Sequence, residues 1–221
     1  MFGKNIIQKP ILKFNGFLDV VGVFKTFQGE GPYTGHRSIF IRLGGCNLAC
    51  EFCDTKFDGF TTMSLQDICA KVLLLSNDDE IDLIVITGGE PFRQPIEELC
   101  RILIEYGYKV QVETNGTLFR GVSSEVDIVC SPKNTGYGYK GLRPDLLMRL
   151  SCLKFIISKY SKAYSVVPEL GQSQYNIPVY IQPMDEYDEE RNSKNLQYVV
   201  DLCIKYQYNL SIQMHKIMGV E

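Results

Sequence analysis

The hydrophobic pattern of the chain alternates between short strand-like runs and longer helical segments. Runs rich in β-branched and aromatic residues predict eight strands, at residues 20–27, 38–43, 83–87, 109–113, 127–130, 154–157, 179–182 and 210–213. Helical patterns predict helices near residues 64–76, from Pro95 onward, and over about 144–150, 159–170 and 188–207. Ser64 and Asp67 have the spacing of a capping box, with Asp in place of the usual Glu or Gln.

Strands that alternate with helices predict parallel βαβ units. A complete (β/α)8 barrel takes about 250 residues, whereas this chain has 221 residues. We therefore predict an α/β fold, a partial (β/α)6-like TIM barrel with an added N-terminal strand; a doubly wound Rossmann-type sheet is the alternative. No repeat or linker divides residues 1–221, so we expect one domain. The role of residues 1–19 is open between a strand, a dimer contact and a tail.

Polar and glycine-rich segments follow six of the predicted strands. In α/β folds the carboxyl ends of parallel strands carry the functional groups. Glycine and proline often punctuate strand ends, but that habit does not explain the Glu, Lys, Asp and His beside them. The sequence therefore predicts a site built from Gly44-Gly45-Cys46, Thr87-Gly88-Gly89-Glu90-Pro91, Glu113-Thr114-Asn115-Gly116, Ser131-Pro132-Lys133, Gln182-Pro183-Met184-Asp185 and Gln213-Met214-His215-Lys216.

Three cysteines stand close together after the second predicted strand, with the spacing C-x3-C-x2-C at Cys46, Cys50 and Cys53. Three thiolates suit three irons of a [4Fe-4S] cluster and leave the fourth iron open. On spacing alone, a zinc site or a disulfide is an equal alternative, although zinc usually takes four ligands. The other five cysteines lack ligand spacing, so we expect them to behave as core residues.

Composition and charge exclude several classes of protein. Apolar residues make up 45% of the chain, as in soluble globular domains. The net charge of −3 (23 basic minus 26 acidic residues) argues against a large nucleic-acid interface. No apolar run is long enough to span a bilayer, and residues 1–17 lack the continuous apolar stretch of a secretory signal. We therefore expect a cytoplasmic protein without a nucleic-acid or membrane partner.

Individual residues suggest further roles. Gly88 and Gly89 allow a ligand to approach the backbone closely. Glu90 and Glu113 could hold a cation or a ribose hydroxyl, Arg42 could clamp a carboxylate in bidentate fashion, and Lys133 could bind one as a point charge. For each single charge an ordinary solvated surface position is an equal alternative. The segment Gln28-Gly29-Glu30-Gly31-Pro32 suits recognition of a flat polar ring, or it is a simple glycine turn.

Two motifs together resemble the radical S-adenosylmethionine (SAM) enzymes. These are the cysteine run with Phe52 before its last cysteine, and Thr87-Gly88-Gly89-Glu90-Pro91. Further matches narrow the resemblance to one family, the 7-carboxy-7-deazaguanine synthases of queuosine and 7-deazapurine biosynthesis. The matching segments are Phe27-Gln28-Gly29-Glu30-Gly31, residues 40–48, Cys53-Asp54-Thr55 and the segments that begin at Ser131, Gln182 and Gln213. The similarity spans about residues 20–221.

The resemblance implies a lyase that converts 6-carboxy-5,6,7,8-tetrahydropterin into 7-carboxy-7-deazaguanine with loss of ammonia. It implies three cofactors, a [4Fe-4S] cluster, SAM and Mg²⁺, with reductive cleavage of SAM giving the radical that abstracts hydrogen from the substrate. It also implies a flavodoxin- or ferredoxin-like reductant, a homodimer and a partial barrel of the radical SAM type. An activase of glycyl-radical enzymes, which shares the cysteine spacing, is the alternative function.

The resemblance also implies roles for individual residues. Cys46, Cys50 and Cys53 bind the cluster, and Thr55 binds Mg²⁺. No side chain is assigned as a protein acid or base, and Glu221 has no assigned role. The implied substrate site contains Phe27, Gln28, Gly29, Glu30, Arg42, Thr87 and His215. The implied SAM site contains Phe52, Gly89, Glu90, Glu113, Ser131, Pro132, Lys133, Gln182, Pro183, Met184 and Asp185.

Overall fold

The computed structural model describes residues 6–53, 55–76 and 80–220. Within these ranges the strands are β1 Phe17–Phe27, β2 Arg37–Leu43, β3 Thr61–Ser64, β4 Leu83–Gly88, β5 Lys109–Thr114, β6 Val126–Cys130, β7 Leu150–Ile157, β8 Val179–Pro183 and β9 Asn209–Leu210. The α-helices are α1 Leu65–Ser76, α2 Glu97–Glu105, α3 Pro144–Leu147, α4 Gln172–Tyr175, α5 Glu189–Tyr206 and α6 Met214–Met218. No helix in these ranges is both long and apolar enough to cross a membrane.

The strands form one sheet in the order β3-β1-β2-β4-β5-β6-β7-β8-β9. From β2 to β9 each strand pairs in parallel with the next, while β1 is antiparallel to both β2 and β3. The parallel strands follow chain order, as in a (β/α) barrel, whereas a doubly wound sheet reverses direction at a switch point. The sheet remains open between β3 and β9. The predicted partial barrel with an added N-terminal strand is confirmed, and the Rossmann alternative is wrong.

The middle of the sheet is buried on both faces. Residues 83–86 of β4 are each at most 1% exposed, because α1 and α2 cover one side and the barrel interior lies on the other. Such two-sided burial explains the continuous apolar run, since a one-sided strand would alternate. A second core group joins β7 and β8 to α5, with Phe155, Ile181 and Val199 all fully buried.

Side-chain caps fix where two helices begin. At α1 the Ser64 hydroxyl accepts from the Asp67 N–H at 3.1 Å and donates to the Asp67 carboxylate at 2.7 Å, so the predicted capping interaction is present. At α5 the Asp188 carboxylate accepts from the Arg191 N–H at 2.9 Å. The predicted helices near 64–76 and 188–207 are thereby confirmed.

Several predicted elements differ from the structure. The predicted helix over 159–170 is wrong, because only a 3₁₀ turn at Lys162–Tyr164 forms there and Pro168 cannot lie inside a helix. The helix predicted over 144–150 ends at Leu147, since Leu150 already begins β7. The last strand ends at Leu210, because the following residues lead into α6. The four-residue β3, too short to show a pattern, was not predicted.

The N-terminal extension lies across the loop that carries the first cysteine. The Gln8 N–H donates to the Cys46 carbonyl at 2.8 Å, and the Ile11 N–H donates to the Arg93 carbonyl at 2.8 Å. The Arg120 guanidinium in turn donates to the Ile11 carbonyl. Residues 7–11 therefore form a strap over the cysteine loop, and the extension joins the sheet only from Phe17. Residues 1–5, Asp54 of the quoted motif and Glu221 lie outside the described residues.

Candidate active site

Two adjoining cavities open on the inner side of the sheet. The first has about 1040 Å³ of free volume, partly open to solvent, and is lined by all three clustered cysteines and by residues that follow β4, β5, β6 and β8. The second, of about 1350 Å³, is lined by the segment after β1, by β2 and by the C-terminal helix α6. The linings have four residues in common, Glu30, Thr55, Thr87 and Glu113. These four residues mark the junction between the cavities.

The cysteine loop presents three thiols to the first cavity. The Leu48 N–H donates to the Cys46 sulfur at 3.4 Å, and the Asn115 amide approaches the same sulfur at 4.0 Å. The Cys53 N–H donates to the Cys50 carbonyl at 3.2 Å, which folds the loop into a turn. N–H groups that point at sulfur tune the potential of an iron–sulfur cluster.

The three thiols fit a [4Fe-4S] cluster better than they fit a zinc ion or a disulfide. All eight cysteines are free, which overturns the disulfide reading. No three His, Cys, Asp or Glu side chains within the described ranges converge to hold a single metal ion. A cluster is a larger body that meets each thiolate separately. Burial raises the pKa of Cys46 to about 12, so cluster assembly must displace a proton there.

Gly89 brings the loop after β4 against the cysteine loop. A Cβ at Gly89 would lie 2.0 Å from the Gly45 carbonyl oxygen, so no larger residue fits without moving a backbone. The Gly89 N–H donates to the Leu43 carbonyl at 3.2 Å, and the Glu90 N–H donates to the Gly45 carbonyl at 3.0 Å. This contact gives Gly89 a place in the wall of the first cavity.

Glu90 lies behind that wall and is fully buried. One of its carboxylate oxygens accepts from the Phe92 N–H at 3.0 Å and the Thr114 hydroxyl at 2.7 Å, and the other accepts from the Asn115 N–H at 2.7 Å. Burial raises the pKa of Glu90 to about 7, although these hydrogen bonds lower it. Glu90 thus joins the loops after β4 and β5 and does not line either cavity.

Other residues of the implied SAM site surround the first cavity. The Lys133 ammonium donates to the Ser131 hydroxyl at 2.5 Å, and burial lowers the pKa of Lys133. Phe52 meets the ring of Tyr164 edge-on, with centroids 5.0 Å apart, and a similar contact links Tyr164 to Tyr139. Pro132 is buried outside the lining, whereas the lining includes Phe52, Gly89, Glu113, Ser131, Lys133, Gln182, Pro183, Met184 and Asp185.

The implied substrate residues come together around the second cavity. A Cβ at Gly29 would lie 2.3 Å from His215 Nδ1, so the glycine allows α6 to pack on this segment, and the Met214 N–H donates to the Gly29 carbonyl at 3.1 Å. The Arg42 guanidinium lies over the Phe24 ring, 4.9 Å from its centroid. The lining contains the complete implied substrate set, Phe27, Gln28, Gly29, Glu30, Arg42, Thr87 and His215, together with Thr55.

A buried polar network occupies the junction and centres on a residue that the motifs did not reveal, Lys154 of β7. Its ammonium lies 2.5 Å from a Glu30 oxygen and 2.7 Å from a Glu113 oxygen. Gln182 and Gln213 donate to the other Glu30 oxygen at 3.2 and 3.0 Å. Gln28 and Gln111 donate to the other Glu113 oxygen at 3.0 and 2.9 Å. The sequence does contain one signal for this role of Lys154: it is a lysine between apolar residues in a buried strand.

The comparisons agree with this geometry. The Radical SAM superfamily model matches residues 40–133. A 7-carboxy-7-deazaguanine synthase of Rickettsia prowazekii (strain Madrid E) is 51% identical over 226 residues, covering 100% of this chain and 96% of that protein. A synthase of the same name from Rhodospirillum rubrum is 33% identical, with 100% of both chains covered. The crystal structure of QueE from Escherichia coli has the same fold, with a TM-score of 0.72 at 24% identity over 90% of this chain and 95% of that chain.

The chain belongs to the 7-carboxy-7-deazaguanine synthase family. The family consists of radical SAM enzymes of the lyase class, so a [4Fe-4S] cluster and SAM are its cofactors. In this member of the family, the open sheet brings the cysteine loop and the glycine loop after β4 to the same cavity wall. The activase alternative finds no support among the matched synthases.

Substitution of Gly89 by alanine should destabilise the site strongly. The added Cβ would push the Gly45 carbonyl away from the loop after β4, and we expect a loss of about 3 kcal/mol in the free energy of unfolding, the upper end for overpacked sites. Denaturant unfolding of cluster-free protein measures this loss. Gly121→Ala is the matched control because open space surrounds its Cβ position. Equal stability of the two variants would contradict the close contact.

Acid should weaken the fold through Glu30. Burial alone would raise the pKa of Glu30, but the Lys154 ammonium and the hydrogen bonds from Lys154 and Gln213 lower it from 4.5 to about 2. A depressed pKa stabilises the fold above pH 4.5, and that contribution is lost as the pH falls towards 2. The lost stability is about 3 kcal/mol.

Denaturant unfolding of wild type and Glu30→Gln across this acid range tests the effect. The two proteins should differ most in their free energies of unfolding above about pH 5, and the difference should shrink by about 3 kcal/mol on acidification. A difference that stays constant with pH would show that the Glu30 carboxylate is not held in its ionised form.

Proposed function

We propose that the chain converts 6-carboxy-5,6,7,8-tetrahydropterin into 7-carboxy-7-deazaguanine with loss of ammonia. Two cavities that meet at four shared residues carry this proposal. One cavity holds the cysteine loop, and the other has the charged and amide side chains that a polar ring requires. The family relationship supplies the reaction, because two matched relatives that cover the whole chain are 7-carboxy-7-deazaguanine synthases.

The first cavity would hold the cluster on Cys46, Cys50 and Cys53 and would hold SAM beside it. When bound, these groups supply the one-electron chemistry that begins the reaction at the pterin. The chain's own residues orient them: Gly89 offers a backbone edge, and the Lys133 ammonium faces the cavity as a cation able to meet a carboxylate. The lining of this cavity also includes Gln182, Pro183, Met184 and Asp185.

The second cavity would bind the pterin. Carboxylates and amide oxygens can accept from the ring N–H groups, and Glu30, Glu113 and Gln28 provide both types. The Arg42 guanidinium, which lies over the Phe24 ring and lines this cavity, would clamp the substrate carboxylate. An activase would leave this set without a ligand, since its substrate is a protein.

Thr55 would contribute a ligand to Mg²⁺ at the junction. It lines both cavities, and a magnesium ion takes few protein ligands and completes its shell with water and substrate oxygen. A hydroxyl from Thr55 and the pterin carboxylate would suffice to hold the ion.

The proposal also includes a flavodoxin- or ferredoxin-like reductant, a homodimer and a place in the cytoplasm.

Turnover of anaerobically reconstituted protein tests the whole proposal. With SAM, Mg²⁺, a chemical reductant and 6-carboxy-5,6,7,8-tetrahydropterin, mass spectrometry should detect 7-carboxy-7-deazaguanine and 5′-deoxyadenosine. Cys50→Ala should abolish both products, because it removes a cluster ligand. Cys203→Ala, on the half-buried face of α5, should retain both. Formation of 5′-deoxyadenosine without the deazaguanine would overturn the substrate assignment.

The Mg²⁺ proposal predicts a selective effect at Thr55. Thr55→Val keeps the shape of the side chain but removes its oxygen, so the Mg²⁺ concentration that half-saturates product formation should rise by about 10-fold or more. Thr55→Ser keeps the hydroxyl and should stay near wild type. Identical Mg²⁺ dependence in Thr55→Val and wild type would remove Thr55 from the metal site.

A further inference from the structure

Lys154 occupies an unusual place for a lysine. Its side chain is 4% exposed, although β7 is otherwise apolar at this point. The ammonium reaches Glu30, which follows β1, and Glu113 of β5, two residues that are distant from it in sequence. A lysine this deeply buried requires partners that repay the loss of hydration. The two carboxylates are those partners.

The charges in this group do not balance. One ammonium faces two carboxylates, and the nearest further groups on the packed elements are the neutral amides of Gln28, Gln111, Gln182 and Gln213. His215 and Lys133 are the next titratable groups that act on Glu30 and Lys154. Without Lys154, two carboxylates would face each other in a buried site, and such an arrangement is strongly unfavourable.

The carboxylates that Lys154 holds are part of the junction. Glu30 and Glu113 are two of the four residues that line both cavities, and Lys154 itself lines the first. Burial alone would lower the pKa of Lys154, but Glu113 and Glu30 raise it well above its usual range, so the ammonium stays charged. The ammonium that β7 carries therefore holds one oxygen of each carboxylate in place.

We propose that Lys154 is a positioning residue for the pterin: it orients Glu30 and Glu113 and offsets part of their negative charge, so that binding of the pterin depends on Lys154. This inference rests on the proposed function. Other residues around the cavities would touch a ligand directly, whereas Lys154 would act on the pterin through Glu30 and Glu113.

The test compares Lys154→Met, Lys154→Arg and wild type, all loaded with cluster and SAM. The probe is oxidised 6-carboxypterin, whose fluorescence reports its dissociation constant without turnover. We expect Lys154→Met to raise this constant by at least about 10-fold, since loss of one partner from a buried charge group is costly. The iron content and the cluster absorption spectrum of Lys154→Met should match those of wild type, since the Lys154 ammonium bonds to Glu30 and Glu113. Lys154→Arg keeps the charge and should retain most of the affinity.

Lys109→Met is the matched control, because the side chain of this lysine, the first residue of β5, is 60% exposed and pairs with Asp82. An unchanged dissociation constant in Lys154→Met would overturn the inference, and so would a parallel loss of the cluster, which would indicate a general structural role. If Lys154→Met does not fold, Lys154→Arg decides: retained affinity supports the inference, and a loss of about 10-fold or more overturns it. Failure of wild type to bind the probe or form the deazaguanine would instead overturn the proposed function.

Discussion

A buried carboxylate is stable inside a protein only where charges and hydrogen bonds replace the water that it loses. Around the junction of this chain, that requirement is met from five separate parts of the fold. Glu30 alone receives Lys154 from β7, Gln182 from β8 and Gln213 from the segment before α6. The open sheet makes this possible, because its strands surround an interior that a closed and packed barrel would fill with apolar side chains.

The N-terminal strand β1 runs antiparallel to β2, and this direction decides where the chain enters the interior. Phe27, the last residue of β1, pairs with Arg37 at the start of β2. The segment from Gln28 to Gly31 therefore enters from the amino-terminal edge of the parallel strands, opposite the cysteine loop. It reaches residues that follow the carboxyl end of β9, as the Gly31 N–H donates to the Ser211 hydroxyl at 3.0 Å. The cavity linings thus combine the segment after β1 with residues at the carboxyl ends of the parallel strands.

The sequence was informative where one residue type has one physical use. The paired glycines after β4 and the apolar strands each predicted what the structure contains, because few alternatives fit such patterns. The cysteine spacing alone left a cluster, a zinc site and a disulfide open. Prediction was poor where distant residues decide the outcome. The Glu90 carboxylate accepts hydrogen bonds from Thr114 and Asn115, and the ring of Tyr164 packs edge-on against Phe52. Neither contact is visible in local periodicity, and Lys154 shows its role only once β1, β5 and β7 are assembled.

The hydrogen bonds of Glu30 also bear on how the chain folds. The bond from Gln213 to Glu30 spans 183 residues, and that from the Gly31 N–H to the Ser211 hydroxyl spans 180. Contacts of such high sequence separation form slowly, because the entropy of closing a long loop is lost before the contact stabilises the chain. Adjacent βα units can pair early, since each strand from β4 to β8 joins the next strand in the chain. We therefore expect the junction to form late in folding, once Ser211 and Gln213 reach the segment after β1.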